Sequence, residues 1–197
     1  MKIFNIILLM LSLVLLHCTK PYTTLRHNAN LKINKTVYID KRFSKIEINY
    51  IEEALNEWSE KSNNLLQFKV EYNININEKE YVKNKYQSIM IEKTHSSDTE
   101  IVFVEKLSET TLIGLCNTST APIDVMIIFD RLKNKEEYRS VVIHEIGHAL
   151  GLKHSDIRWT LMYPYIDSGS YHLTYYDMEQ FCKIYSCNVK DLNFKED

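Results

Sequence analysis

The sequence is short of residues that break or loosen a chain. It has 4 Gly and 3 Pro among 197 residues, which excludes a collagen-like repeat or a long Gly/Pro-rich disordered stretch. With so few, a glycine in a special place is informative. An excess of either charge is also missing: 24 Lys and Arg against 26 Asp and Glu leave a net charge of −2. That balance gives no basic footprint for nucleic acid and no acidic tail, so no nucleic-acid partner is expected. No internal repeat is visible, and no apolar run reaches the ~20 residues that span a bilayer. What is present is globular composition, 45% hydrophobic, 25% charged and 11% aromatic. The length suits one domain.

Residues 1–17 read MKIFNIILLMLSLVLLH. Lys2 followed by the apolar run Ile6 to Leu16 has the pattern of a secretory signal. No small-x-small cleavage site follows. The run ends at Leu15-Leu16-His17-Cys18, which resembles a bacterial lipobox. The expectation is a lipid on Cys18 as first mature residue, with 18–30 a polar tether and 31–197 the folded domain. The alternatives are a plain signal peptide or an uncleaved anchor. In each case the protein is exported, and is either membrane-anchored in the periplasm or at the cell surface, or secreted. Cys182 and Cys187 either close a small disulfide or remain two thiols at a helix end. Cys116 is expected as a strand thiol.

Alternation of apolar residues predicts strands over 31–40 and from Leu66 to Tyr72. Short apolar runs predict further strands at Ile89–Ile91, Ile101–Val104 and Ile123–Phe129, with Thr111–Cys116 an edge strand. Helical spacing predicts helices over 45–62, 135–150 and 174–186. Residues 73–87 read as a loop. This order suits an α+β or α/β domain.

The chemistry is concentrated in His144-Glu145-Ile146-Gly147-His148-Ala149-Leu150-Gly151-Leu152-Lys153-His154. On a helix, His144 and His148 project from one face a turn apart. Two neutral imidazoles on one face suit zinc, which takes a tetrahedral nitrogen set. Gly151 can end the helix with a left-handed residue, letting the chain turn and bring His154 to the same ion. Three His ligands leave one coordination position for water, and Glu145 can face it. A chance match at all five fixed positions is expected roughly 10⁻⁵ times in such a chain.

This stretch resembles the metzincin metallopeptidases, whose pattern HExxHxxGxxH it matches throughout. Ser155 directly after the third His looks like the matrixin branch, which includes the matrix metalloproteinases. Leu161-Met162-Tyr163-Pro164 resembles the matrixin Met-turn, and Leu173 to Met178 with Ile184-Tyr185 looks like that branch's C-terminal helix. Ile128-Phe129-Asp130 resembles the end of the strand that enters the active-site helix. The resemblance implies an α+β, zincin-like catalytic domain: a twisted, mostly parallel sheet of about five strands, an active-site helix and a C-terminal helix. It also implies one catalytic zinc held by His144, His148 and His154, with Glu145 as general base, Gly151 at the turn, and Met162 as an apolar base beneath the ion. Gly114, Leu115 and Cys116 on the edge strand would bind substrate, and Pro164, Tyr165 and Ile166 would wall the pocket after the scissile bond.

The family's His-Gly-Asp segment, which builds a structural zinc and calcium loop, has no counterpart. A second zinc or a calcium is therefore not expected. The implied partners are a protein or peptide substrate and, through an N-terminal lipid, a membrane; a monomer is expected. Two other readings stand beside this one. One is a surface lipoprotein that binds its partner with a merely structural zinc, which the open fourth position opposes. The other is a different metallopeptidase clan with a distant Glu as third ligand. Glu179 is available for that role, but Gly151 and His154 make it unnecessary. His17, His27, His95 and His172 are expected at the surface.

Overall fold

The computed structural model describes residues 32–75, 87–108, 110–165 and 170–194. Cys18, Ile166 and the tether lie outside these residues, as does most of the expected 73–87 loop. Among the described residues, five strands form one sheet, β1 Ile33–Asp40, β2 Leu66–Ile74, β3 Ser88–Thr94, β4 Gly114–Asn117 and β5 Ile123–Ile128, and four α-helices accompany it, α1 Lys45–Lys61, α2 Thr99–Ser108, α3 Lys135–Ala149 and α4 Tyr175–Tyr185. The sheet order is β2-β1-β3-β5-β4. All neighbours are parallel except β4, which runs antiparallel to β5, with Gly114 opposite Ile127 and Cys116 opposite Val125. The expected α+β architecture is the one observed. No helix among the described residues is long and apolar enough to cross a membrane.

Alternation within the strands decides what each sheet face meets. Val37, Ile39, Ile89, Ile91, Val125 and Ile127 join the main core with α1 and α3. Helix α1 starts at Ser44 in a capping box with Glu47 and buries Ile51, Ala54, Leu55 and Trp58. The Trp58 indole N–H donates to the Ile143 carbonyl at 3.1 Å, locking α1 against α3. Such fully buried side chains contribute about 1.5–3 kcal/mol each.

One expected strand is a helix. Ile101–Val104 lies inside α2 rather than in a strand. Four apolar residues in a row do not distinguish the two periods; the surroundings do. The Asp98 carboxylate accepts from His95 N–H at 2.9 Å, and the Asp98 carbonyl accepts from Val102 N–H. The helix turns Ile101 onto Met126 and Ile128 on the second sheet face, while Val102 and Phe103 are 49% and 61% exposed. An ion pair from Arg131 to Glu105 fastens it. The expected edge strand is at the edge, but it begins only at Gly114.

Candidate metal centre

Helix α3 carries the first two histidines. Asn134 caps its start, its side chain accepting from Glu137 N–H at 2.8 Å. Its end is a Schellman motif: Gly151 N–H donates to the His148 carbonyl and Leu152 N–H to the Gly147 carbonyl, both at 2.9 Å. Gly151 has φ +95°, a conformation that a side chain disfavours. The helix therefore stops after His148, and the chain returns His154 to the same place.

The three imidazoles converge. Their ligand atoms lie within 4.8 Å of one another, and His148 Nε2 is 3.1 Å from His154 Nε2. Two rings have their far nitrogens fixed. His144 Nδ1 lies 2.8 Å from the Leu161 carbonyl and His148 Nδ1 lies 2.9 Å from the Leu152 carbonyl. A carbonyl only accepts, so each Nδ1 carries the hydrogen and each Nε2 keeps its lone pair. Burial, and then the neighbouring imidazole, hold His144 down to about 3. Burial holds His148 down to about 4 and lowers His154. All three are thus neutral at pH 7, the form a metal requires. Tetrahedral zinc with Zn–N near 2.0–2.1 Å wants nitrogens about 3.3 Å apart; the His148–His154 pair at 3.1 Å already has that spacing, and closing the 4.8 Å spread of the cluster would complete a three-nitrogen site.

Glu145 is buried beside the cluster, and burial raises its carboxyl to about 8. A dication held by the adjacent imidazoles would favour the carboxylate. The side chain is seated by β4: a Cβ on Gly114 would lie 2.6 Å from Glu145 Oε1 and 2.9 Å from Val141 Cγ1. Met162 is fully buried, with its sulfur 2.5 Å from where a Gly147 Cβ would stand. Its carbonyl accepts from Ser155 N–H at 2.8 Å, tying the Met-turn to the residue after the third His.

Residues 26–186 match the profile of the family described as Matrixin. The chain belongs to the matrixin family. As a matrixin it is 43% identical over 54 residues to a protein named Metalloendoproteinase 2-MMP from Arabidopsis thaliana, a match covering 26% of this chain and 14% of that protein. It is 37% identical over 65 residues to a Putative matrix metalloproteinase of Trichoplusia ni ascovirus 2c, covering 30% of this chain and 13% of the relative. The aligned stretches thus span about one seventh of each curated relative.

The other site expectations separate. Leu115 turns to the α2 face of the sheet, packed with Ile101, Met126 and Ile128. Cys116 is half-buried on β4 and packs against the main core. Tyr165 is exposed and Pro164 lies beside it in the strand-free segment after Met162. Glu179 pairs with Lys183 on α4 at 3.3 Å, and does not join the metal cluster. Cys182 and Cys187 form a disulfide, which resolves the two readings left open for them.

Two buried carboxylates escaped the sequence reading. Asp177 accepts from Leu161 N–H and Met162 N–H, both at 3.0 Å, and from Thr174 N–H and Oγ1–H. It holds the Met-turn in place, and through the Leu161 carbonyl it orients His144, the indirect control typical of metal ligands. The Thr174-x-x-Asp177 capping spacing was the available signal. Glu57 on α1 pairs with Arg139 at 2.8 Å and accepts from Leu173 N–H at 2.7 Å. Nothing in the local pattern marks it. His172 is 64% exposed, as expected for a surface histidine, yet its Nδ1 lies 3.2 Å from Glu57 Oε2.

Proposed function

We propose that this matrixin is a zinc-dependent endopeptidase that hydrolyses peptide bonds. The observation that supports it best is the pairing of an open three-imidazole cluster with a buried carboxyl, Glu145, on the same helix. His144, His148 and His154 would hold the zinc. When bound, zinc supplies a Lewis acid that acidifies a water and polarises the scissile carbonyl. Glu145 takes the proton of the attacking water and passes it to the leaving amine. Its burial keeps bulk water from competing for that proton.

Substrate is positioned by the rest of the cleft. β4 is the last strand of the sheet, so its outer edge offers backbone N–H and C=O groups to an extended peptide, in the manner of strand addition. Gly114 does double duty there, offering backbone to the peptide and room to Glu145. Pro164 and Tyr165 would wall the pocket that receives the side chain after the scissile bond. The protein is exported and held at a membrane through Cys18, and it works as a monomer.

The test compares the full chain with its Glu145→Ala variant on a diverse peptide library, with zinc measured in parallel. Cleavage by the wild type alone, with equal zinc in both, is the expected result. Equal cleavage by both would end the role of Glu145. Zinc in both with cleavage in neither would favour a binding protein with a structural ion. Loss of membrane attachment in Cys18→Ser checks the anchor; persistence at the membrane would point to an uncleaved anchor instead.

A further inference from the structure

We propose that an exposed row of aromatic rings, Trp159, Tyr176 and Tyr175 continued by Phe194, is a docking surface that seats the domain on a lipid bilayer. This rests on the membrane attachment through Cys18 put forward above.

The rings form one line. Trp159 meets Tyr176 edge to face with 6.2 Å between centroids, Tyr176 meets Tyr175 at 6.0 Å, and Tyr175 meets Phe194 at 6.4 Å. Trp159 is 61% exposed, Tyr176 43% and Tyr175 38%. The two tyrosines open α4 beside the Thr174 cap. Trp159 is carried outward by a tight turn, in which buried Thr160 donates its N–H and Oγ1–H to the Ile157 carbonyl at 3.2 and 2.8 Å. The rings are thus held out on a fixed frame. Trp and Tyr, with apolar bodies and polar tips, suit the headgroup level of a bilayer, where one end of the ring is dry and the other wet.

The course of the chain points to the bilayer as occupant. Lys61 Nζ stands 4.6 Å from the centre of the Phe194 ring, and the Lys61 carbonyl accepts from Asn193 N–H at 3.2 Å. Four residues on, the Leu65 carbonyl accepts from Ile33 N–H at 2.7 Å. β1 therefore begins near the Phe194 end of the row, and the chain from Cys18 arrives there. Thirteen residues, 19–31, lie between Cys18 and Lys32, and a link of that length reaches at most about 50 Å. So short a link keeps the attached end at an effective concentration on the order of millimolar at the surface, so a weak interfacial contact is enough to seat it. β4 lies at the opposite edge of the sheet from the β2–β1 pair, so this seating leaves the substrate edge open.

The test reconstitutes the full-length protein into phosphatidylcholine–phosphatidylglycerol vesicles, with and without a lipid carrying a nitroxide just below the headgroup. The chain has 2 tryptophans, and Trp58 is fully buried. The difference between wild type and Trp159→Phe therefore reports Trp159 alone. Its emission should shift to the blue on reconstitution and be quenched by the nitroxide lipid. A second protein carries Phe103→Trp in the Trp159→Phe background, which puts the reporter on α2, at the other face of the sheet. That reporter should stay unquenched; equal quenching at both positions overturns the proposal. Should this variant fail to fold, Tyr175→Ser with Tyr176→Ser takes its place: Trp159 quenching should fall, and unchanged quenching overturns the proposal. Flotation is read on the same samples. Protein that floats with Trp159 unquenched overturns this inference alone, whereas protein that does not float overturns the Cys18 anchor and this inference with it. A blue shift with a soluble polysaccharide and none with vesicles would make the row a sugar-stacking platform and overturn the proposal.

Discussion

At the residue scale, the site depends on what is missing beside Glu145 as much as on Glu145 itself. Gly114 leaves room for the carboxylate where any β-carbon would collide with it and with Val141. Both neighbours sit on a packed helix and cannot retreat far. Gly114→Ala is therefore expected to destabilise the protein by about 1–3 kcal/mol. It should lower kcat more than KM, because the displaced group is the proton carrier and not a binding contact. Thermal melts and steady-state kinetics check this; an alanine variant with wild-type kcat would show that Glu145 has another seat. The five fixed positions of the motif were legible in the sequence because their chemistry is local: two histidines a turn apart, a glycine at a left-handed turn, a third histidine just after. The role of Gly114 was not, since nothing in Ile113-Gly114-Leu115 reveals that the strand will lie against residue 145.

At the element scale, the centre is held by helix ends. The Schellman turn after α3 orients His148 through the Leu152 carbonyl, and the start of α4 orients His144 through Asp177 and Leu161. Thr174 and Asp177 share one capping box, but they are not equivalent. Thr174→Ala loses a cap and should cost about 1 kcal/mol. Asp177→Ala also strips acceptors from two buried Met-turn amides and should cost about 3–5 kcal/mol and weaken zinc retention. Denaturant unfolding and zinc content after dialysis compare the two; equal losses would mean that Asp177 does no more than cap α4. The same scale explains the one misread element. The run Ile101–Val104 has strand composition, yet α2 forms because Asp98 and the Glu105–Arg131 pair supply ends that a four-residue window does not contain.

At the scale of the whole molecule, the titrating groups of the centre bias stability in opposite directions, the histidines one way and Glu145 the other. His144 and His148 fold with values near 3 and 4, below the 6.5 of a free imidazole. Their contribution is present above pH 6.5 and is lost as pH falls toward those values, about 3–5 kcal/mol each. Glu145 folds near 8, above its ordinary 4.5. Its contribution is present below 4.5 and is lost as pH rises through 8. Protein stripped of zinc by a chelator should thus be most stable near pH 6.5, as far as these groups decide. Its Tm should fall toward both pH 5 and pH 8, where calorimetry can follow it. A flat profile would mean that the groups are solvated in the stripped protein. Zinc should raise Tm at pH 7 and make the acid-side loss steeper, because the ligands must shed protons to bind it.

Most helix and strand periods, the turn at Gly151 and the zinc motif were readable along the chain because each is encoded by residues within a turn or two of one another. The sheet order, the seat of Glu145 at Gly114, the Asp177 tie to the Met-turn and the Glu57 tie to Leu173 were not. Each joins residues 15 to 116 positions apart, or two strands that meet only across the sheet. A buried carboxylate looks like a solvated one until packing removes its water. That desolvation, which makes Glu57, Glu145 and Asp177 matter, is a property of the assembled core and leaves no mark on the neighbouring sequence.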